Sequence, residues 1–207
     1  MSPPAQDPLP SSLPSAIPLL LARHGETAWN LEERWQGQTD IGLNERGRAQ
    51  AAALAARLTG RGIRHITASD LSRARETAEI IARHLGVAEV VIDAGLRERG
   101  YGVFEGLTRE QCETQHPDEW NRYLADRTHT PTRAELQDQV IARMRAAVAR
   151  AAARATAAGD PVLIVGHGGS IRALLHADTG VRPPPMDNGA TIRALFGATG
   201  LRDPALL

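Results

Sequence analysis

The chain contains no lysine: all 24 of its basic residues are arginine, set against 24 acidic ones. A GC-rich coding bias, which would also account for the alanine runs, is the plain reading. The absence still excludes chemistry, because no P-loop lysine, Schiff base or Ser-Lys dyad can be built. Cysteine is nearly missing too. The lone Cys112 allows neither an internal disulfide nor a cysteine-rich metal site, and a cytoplasmic location is the default that follows. With a formal net charge of zero, nothing points to nucleic acid or membrane as a bulk electrostatic partner. No apolar run approaches the roughly 20 residues of a membrane span.

What is present is ordinary for a globular protein. The 207 residues are 42% apolar and 23% charged, which suggests one domain with a substantial core, expected over residues 17–207. The first sixteen residues are rich in Pro and Ser and carry one charge, Asp7. They lack the basic start and apolar centre of a signal peptide and are expected to be a disordered tail.

Apolar runs at Ile17 to Ala22, Ile63 to Ala68, Val87 to Ile92, Pro161 to Val165 and Ala190 to Phe196 read as strands. Between them lie helical segments. One follows Asn44 as N-cap and runs to about Leu58; another follows Ser69 or Asp70 and closes at Gly86. Shorter helices are expected around Arg109–Gln115 and Asp118–Asp126. The capping-box pattern Thr132-Arg133-Ala134-Glu135 predicts a long helix to about Ala158, and another helix spans Ser170 to Asp178. Trp29 to Gly42 reads as a polar loop, and residues after Gly197 give little signal. The alternation predicts an α/β fold: a three-layer α/β/α sandwich around a mostly parallel sheet.

Two segments share a pattern of strand, then histidine, then glycine: Arg23-His24-Gly25-Glu26-Thr27 and Gly166-His167-Gly168-Gly169. Ligands bind at the carboxyl ends of strands in open α/β sheets. A neutral histidine there can attack phosphorus, and an adjacent arginine can hold phosphate oxygens. Taken alone, a histidine after a strand is more simply a satisfied structural residue. Phosphoryl transfer also needs further cationic donors and an acid for the leaving oxygen. Arg73 and Arg75 follow a strand at a helix start, a favourable anion site, although either also reads as an exposed helix charge. Glu98 and Glu105 are the acid candidates, with a surface loop carboxylate as the plain alternative. A carboxyl beside a phosphate and screened from water is expected to have a raised pKa.

These motifs resemble the histidine phosphatase superfamily, in the branch close to phosphoglycerate mutase. The likeness runs from about Leu19 to about Leu195 through four separated motifs in the right order. It implies a metal-independent enzyme that acts on a small phosphorylated metabolite through a phosphohistidine. His24 is then the nucleophile, with Arg23 and Arg73 as phosphate clamps. His167 is the fourth phosphate ligand, cationic in the complex, and Glu98 is the acid. Gly168, with its neighbouring glycines, lets backbone approach the anion. Asn30 and the Gln36-Gly37 loop resemble the remaining phosphate donors. Arg99, Tyr101 and Arg109 stand where mutases contact substrate. No cofactor is expected, unless the chain is a mutase primed by 2,3-bisphosphoglycerate. A homodimer is what the resemblance implies for assembly. Two departures separate this chain from mutases proper. The stretch between Glu98 and His167 is shorter and lacks an inserted segment with further arginines, for which Arg122 is the candidate substitute. Ala134 stands where the family has a glutamate.

Other classes fit less well. An esterase needs a Gly-x-Ser-x-Gly elbow, which is absent. A metal hydrolase lacks His-Glu-x-x-His and a carboxylate cluster. A catalytically dead phosphate-binding module would not need every catalytic residue type.

Overall fold

The structure, a computed structural model, describes residues 16–126, 129–155 and 159–207. All but the last residue of the expected tail lies outside them. Two strands set the frame, β1 (Ile17–Arg23) and β4 (Val162–Gly166). Successive strand side chains point to opposite faces. Leu19, Leu21, Val162 and Ile164 therefore enter one core cluster, and Leu20, Ala22, Leu163 and Val165 the other. Burial on both faces is why these strands read as unbroken apolar runs.

Helices close each face with an apolar stripe at helical spacing. α2 (Glu45–Leu58) buries Ala51, Leu54, Ala55 and Leu58, and α3 (Ser72–Leu85) buries Ala74, Ala78, Ile81 and Ala82 on the same side. On the other side, α6 (Gln137–Ala152) contributes Val140, Met144, Ala147 and Val148, and α7 (Gly168–Thr179) contributes Ile171, Leu174 and Leu175. The three layers are those expected.

β2 (His65–Ala68) and β3 (Val90–Ile92) extend the sheet beyond β4, while β5 (Thr191–Gly197) and β6 (Gly200–Leu206) extend it beyond β1. The order is β3-β2-β4-β1-β5-β6. The first four strands are parallel, and β5 and β6 run antiparallel to their neighbours. Short helices α1 (Ala28–Leu31), α4 (Arg109–Gln115) and α5 (Pro117–Ala125) lie in the connections.

Several local expectations are corrected. α3 starts later than Ser69 or Asp70 would set it, because neither caps it. Asp40 does so from a distant loop, accepting from Ser72 N at 2.7 Å and Ser72 Oγ at 2.6 Å. Asp70 pairs instead with Arg97. The Thr132–Glu135 box opens no helix. Arg133 sits at φ 64°, outside helical space, and Thr132 Oγ1 donates to Glu119. α6 begins at Gln137 and ends at Ala152; residues 156–158, where the expected helix ran out, lie outside the described ones. The strand expected from Val87 is short because Val87 N–H still closes α3 on Ala82 O. α1 and β6 were unread. Capping-box contacts between Thr27 and Asn30 make α1 from four residues, too short for a periodic signal. β6 carries Pro204 and a positive-φ Asp203, which an edge strand tolerates.

Candidate active site

The parallel strands bring their carboxyl ends together. Arg23 and Gly166 are register partners in β1 and β4. The next residues, His24 and His167, leave the sheet side by side, with ring centroids 5.1 Å apart. β2 lies on the other side of β4 and leads into α3, whose first turn carries Arg73. Three segments far apart in sequence thus meet at one edge.

Gly25 allows the first turn. A Cβ there would stand 2.3 Å from Gly47 O at the start of α2. Its N–H donates to Thr77 Oγ1 at 3.1 Å, which itself donates to Arg73 O. His24 Nδ1 lies 2.6 Å from Gly25 O. A carbonyl only accepts, so Nδ1 carries the proton and Nε2 keeps its lone pair. Burial, then the Arg73 and Arg23 charges, hold the His24 pKa well below the ordinary histidine value. The ring is therefore neutral, as a nucleophile on phosphorus must be.

Arg73 is 1% exposed and donates to Gly37 O at 2.8 Å and Thr39 O at 2.9 Å. Burial lowers its pKa to about 10, which still leaves it charged at neutral pH. Among the described residues, Arg73 Nε and both ring nitrogens of His167 are buried without a hydrogen-bond partner. Each such group costs roughly 1–3 kcal/mol unless a ligand satisfies it. Burial and Arg73 push the His167 pKa well below normal as well; a bound phosphate dianion would act in the opposite direction. Arg23 donates through Nη1 to Met186 O.

Glu98 is 8% exposed. Its carboxylate accepts from Arg99 N and Gly169 N, both at 2.8 Å. A Cβ on Gly169 would lie 2.7 Å from Glu98 Oε1. This glycine makes room for the carboxylate rather than for the anion directly. Arg143, unread in the sequence, holds the Glu98 loop through Gly95 O, Arg97 O and Glu98 O.

A cavity of about 290 Å³ joins these residues, and Arg23, His24, Arg73, Glu98, His167 and Gly168 all line it. Asn30, Gln36 and Tyr101 also line it. Burial, with Glu98 beside it, pushes the Tyr101 phenol well above its ordinary pKa, so it remains a neutral O–H. Gly37, Arg99 and Arg109 are placed elsewhere. The Gly37 carbonyl accepts from Arg73. Arg99 turns to Glu135 O, Gln137 and Thr130. Arg109 lies 5.7 Å from the Trp120 ring centroid. Arg122 is exposed on α5. Glu105 accepts from the backbone of Gln38, Thr39 and Tyr101, a loop-shaping role. The rim includes Glu33, Arg34, Arg172, Pro185 and Met186, which no motif had marked. No group of three potential metal ligands occurs among the described residues, and no helix there is long and apolar enough to cross a membrane. Cys112 is buried in a side cluster with Phe104 and Trp120.

The family model for the histidine phosphatase superfamily (branch 1) matches residues 19–193. The chain belongs to that superfamily. Within it, "Phosphoglycerate mutase-like protein 4" of Arabidopsis thaliana is 38% identical over 159 residues, which is 75% of this chain and 68% of the relative. A "Probable phosphoglycerate mutase" of Escherichia coli is 36% identical over 171 residues, 80% of this chain and 76% of the relative. Among solved histidine phosphatase-fold structures, a mycobacterial glucosyl-3-phosphoglycerate phosphatase with VO3 superposes with a TM-score of 0.80. It is 33% identical and covers 92% of this chain and 97% of that one.

Proposed function

We propose that the chain is a phosphomonoester hydrolase acting on a small phosphorylated metabolite. Arg23, Arg73 and His167 hold the phosphoryl oxygens, with Asn30 and Gln36 as further donors. His24 Nε2 attacks phosphorus while the ester oxygen leaves with a proton from Glu98. Water then attacks the phosphohistidine, Glu98 takes its proton, and inorganic phosphate departs. The reading needs no metal or cofactor, and the near absence of cysteine supports the cytoplasm as its compartment.

One observation carries it: a neutral His24, its tautomer set by Gly25 O, faces buried and unpartnered donors on Arg73 and His167. That is the inverse of a phosphate dianion. A named relative among solved structures is a phosphatase, whereas two curated relatives carry mutase names. What favours hydrolysis is the rim. Glu33 and Pro185 line the cavity and are themselves exposed, so its mouth is open to the solvent that a mutase must keep from the intermediate.

The test is His24→Ala against p-nitrophenyl phosphate, with EDTA present throughout. Turnover is expected to fall by about 10⁴-fold or more, with loss of acid-labile phosphate labelling and an unchanged circular dichroism spectrum. Retained activity sinks the reading. Incubation with 3-phosphoglycerate, with and without 2,3-bisphosphoglycerate, should release inorganic phosphate; primer-dependent isomer formation would make the chain a mutase.

A further inference from the structure

The segment between α7 and β5 is fixed against the end of β1. Gly189, at φ 76°, donates its N–H to Arg23 O at 3.1 Å, and Arg23 N–H donates to Ala190 O at 2.9 Å. From α2, Arg57 donates to Gly189 O at 3.0 Å. This held backbone aims the preceding side chain, Asn188. Asn188 is half-buried and does not line the cavity. Its Nδ2 lies 3.2 Å from His24 O and 3.2 Å from Asn30 Oδ1.

The neighbours decide which amide atom is which. The Thr27 backbone N–H can only donate, and it meets Asn30 at 3.1 Å, so the atom it meets is Oδ1. His24 O and Asn30 Oδ1 can only accept, so the Asn188 atom between them is the NH2 group. Asn30 Nδ2 then has no protein partner among the described residues, on a side chain that lines the cavity. An N–H turned toward a phosphoryl oxygen attracts it, whereas an amide oxygen in the same place repels it.

The same count reaches Gln36. Asn30 Oδ1 has two lone pairs, and Thr27 N–H and Asn188 Nδ2 fill them. Thr27 Oγ1 has one proton and two acceptors within reach, Gln36 Oε1 at 3.0 Å and Asn30 Oδ1 at 3.2 Å. With Asn30 already filled, the proton goes to Gln36, and Gln36 Nε2 is left for the cavity that this side chain lines. Without the Asn188 donor, the Thr27 hydroxyl turns to Asn30. The Gln36 amide can then reverse, donate to Thr27 Oγ1 and present its oxygen to the anion.

We propose that Asn188 is a positioning residue of the phosphoryl site. By filling the second lone pair of Asn30, it sets Asn30 and, through Thr27, Gln36 with their N–H groups toward the phosphate. This rests on the donor roles given to Asn30 and Gln36 in the phosphomonoesterase reading above.

The test is Asn188→Leu, which keeps the size and branching of the side chain but donates nothing. Its kcat/KM should fall by about 10–100-fold, the scale of a hydrogen bond to a charged group. The loss should be the same on p-nitrophenyl phosphate and on glycerol 3-phosphate, because the phosphoryl group is common to both. Calorimetric affinity for inorganic phosphate should fall as well. In an Asn30→Ala background the same substitution should cost less than about threefold, since its acceptor is gone and the Thr27 proton has only Gln36 to meet. Three results overturn the proposal: unchanged turnover by Asn188→Leu, a loss confined to one substrate, or the full loss repeated in the Asn30→Ala background. Asn188→Ala enters the same cycle if the leucine variant does not fold. Failure of the wild type to hydrolyse p-nitrophenyl phosphate would instead overturn the phosphatase reading, and the phosphate titrations of the four proteins would still decide the role of Asn188.

Discussion

Arg73 and Arg34 line the same cavity yet are held in different ways. Arg73 grows from the first turn of α3, is 1% exposed, and is pinned by two backbone carbonyls. Arg34 sits in the loop after α1 with 26% of its side chain exposed, tied to Glu32, Gln111 and the Gly106 carbonyl. The inner end of the cavity is built where parallel strands stop, so the sheet ladder itself aligns its groups. The outer end is built from loops whose contacts are local and mostly polar. Chemistry common to all phosphomonoesters belongs at the first, and selection among them at the second. Exchanging comparable losses should expose this division. Arg73→Ala should lower kcat by about 10²–10³-fold on every substrate, the scale of losing one preorganised donor to transition-state charge. Arg34→Ala should act mainly on KM, by a few-fold, and unequally between substrates. Steady-state kinetics on p-nitrophenyl phosphate and an alkyl phosphate decides; equal effects would erase the distinction.

Gly169 sharpens the same contrast, because it connects the strand-end cluster to the acid. Its N–H donates to Glu98 Oε2, and a Cβ would displace that carboxylate. Gly169→Ala should therefore lower kcat by roughly 10–100-fold, part of the usual contribution of a positioned acid. The loss should be larger for alkyl phosphates than for p-nitrophenyl phosphate, whose leaving group needs no proton. Equal slowing of the two would detach Glu98 from leaving-group protonation.

The inner end was legible in the sequence and the outer end was not, for a physical reason. A buried strand followed by His and Gly announces its position, while its chemistry is legible only through the company of the other motifs and the family resemblance they carry; Arg23↔Gly166 pairing needs only the rule that such strands are parallel neighbours. The strand-to-helix junction singled out Arg73 and Arg75 together, and the family resemblance chose Arg73, which lies in the first turn of α3. The rim depends on which way loop arginines turn. Arg99 and Arg172 are equally plain in the sequence, but Arg99 is taken by Glu135 O and Thr130 while Arg172 faces the cavity. Likewise, α3 is capped by Asp40 from across the chain, a long-range contact that no local capping pattern reveals. β6 was unreadable because its Asp203 and Pro204 break strand periodicity, and only the edge position beside β5 accommodates them.

The smallest expected effect concerns stability, and it too separates the two ends. His24 and His167 both have depressed pKa values in the folded chain, each chiefly from burial. Unfolding returns them to the ordinary value of 6.5, so below that pH the unfolded chain binds more protons than the folded one. Stability from these two groups is therefore present above about pH 6.5 and is lost as pH falls below it, approaching about 1.4 kcal/mol per pH unit for each imidazole. Denaturant midpoints measured between pH 7.5 and 5.5 should decline, and His167→Asn should flatten part of that slope. Saturating inorganic phosphate should flatten it as well, since a dianion among Arg73, His24 and His167 favours the protonated imidazoles it contacts and stabilises the state that binds it. Arg34→Ala, at the rim, should leave the slope as it is. A wild-type midpoint that stays level across this range would mean that the inner cluster is hydrated in solution, and the contrast between a dry inner end and a wet outer one would fall with it.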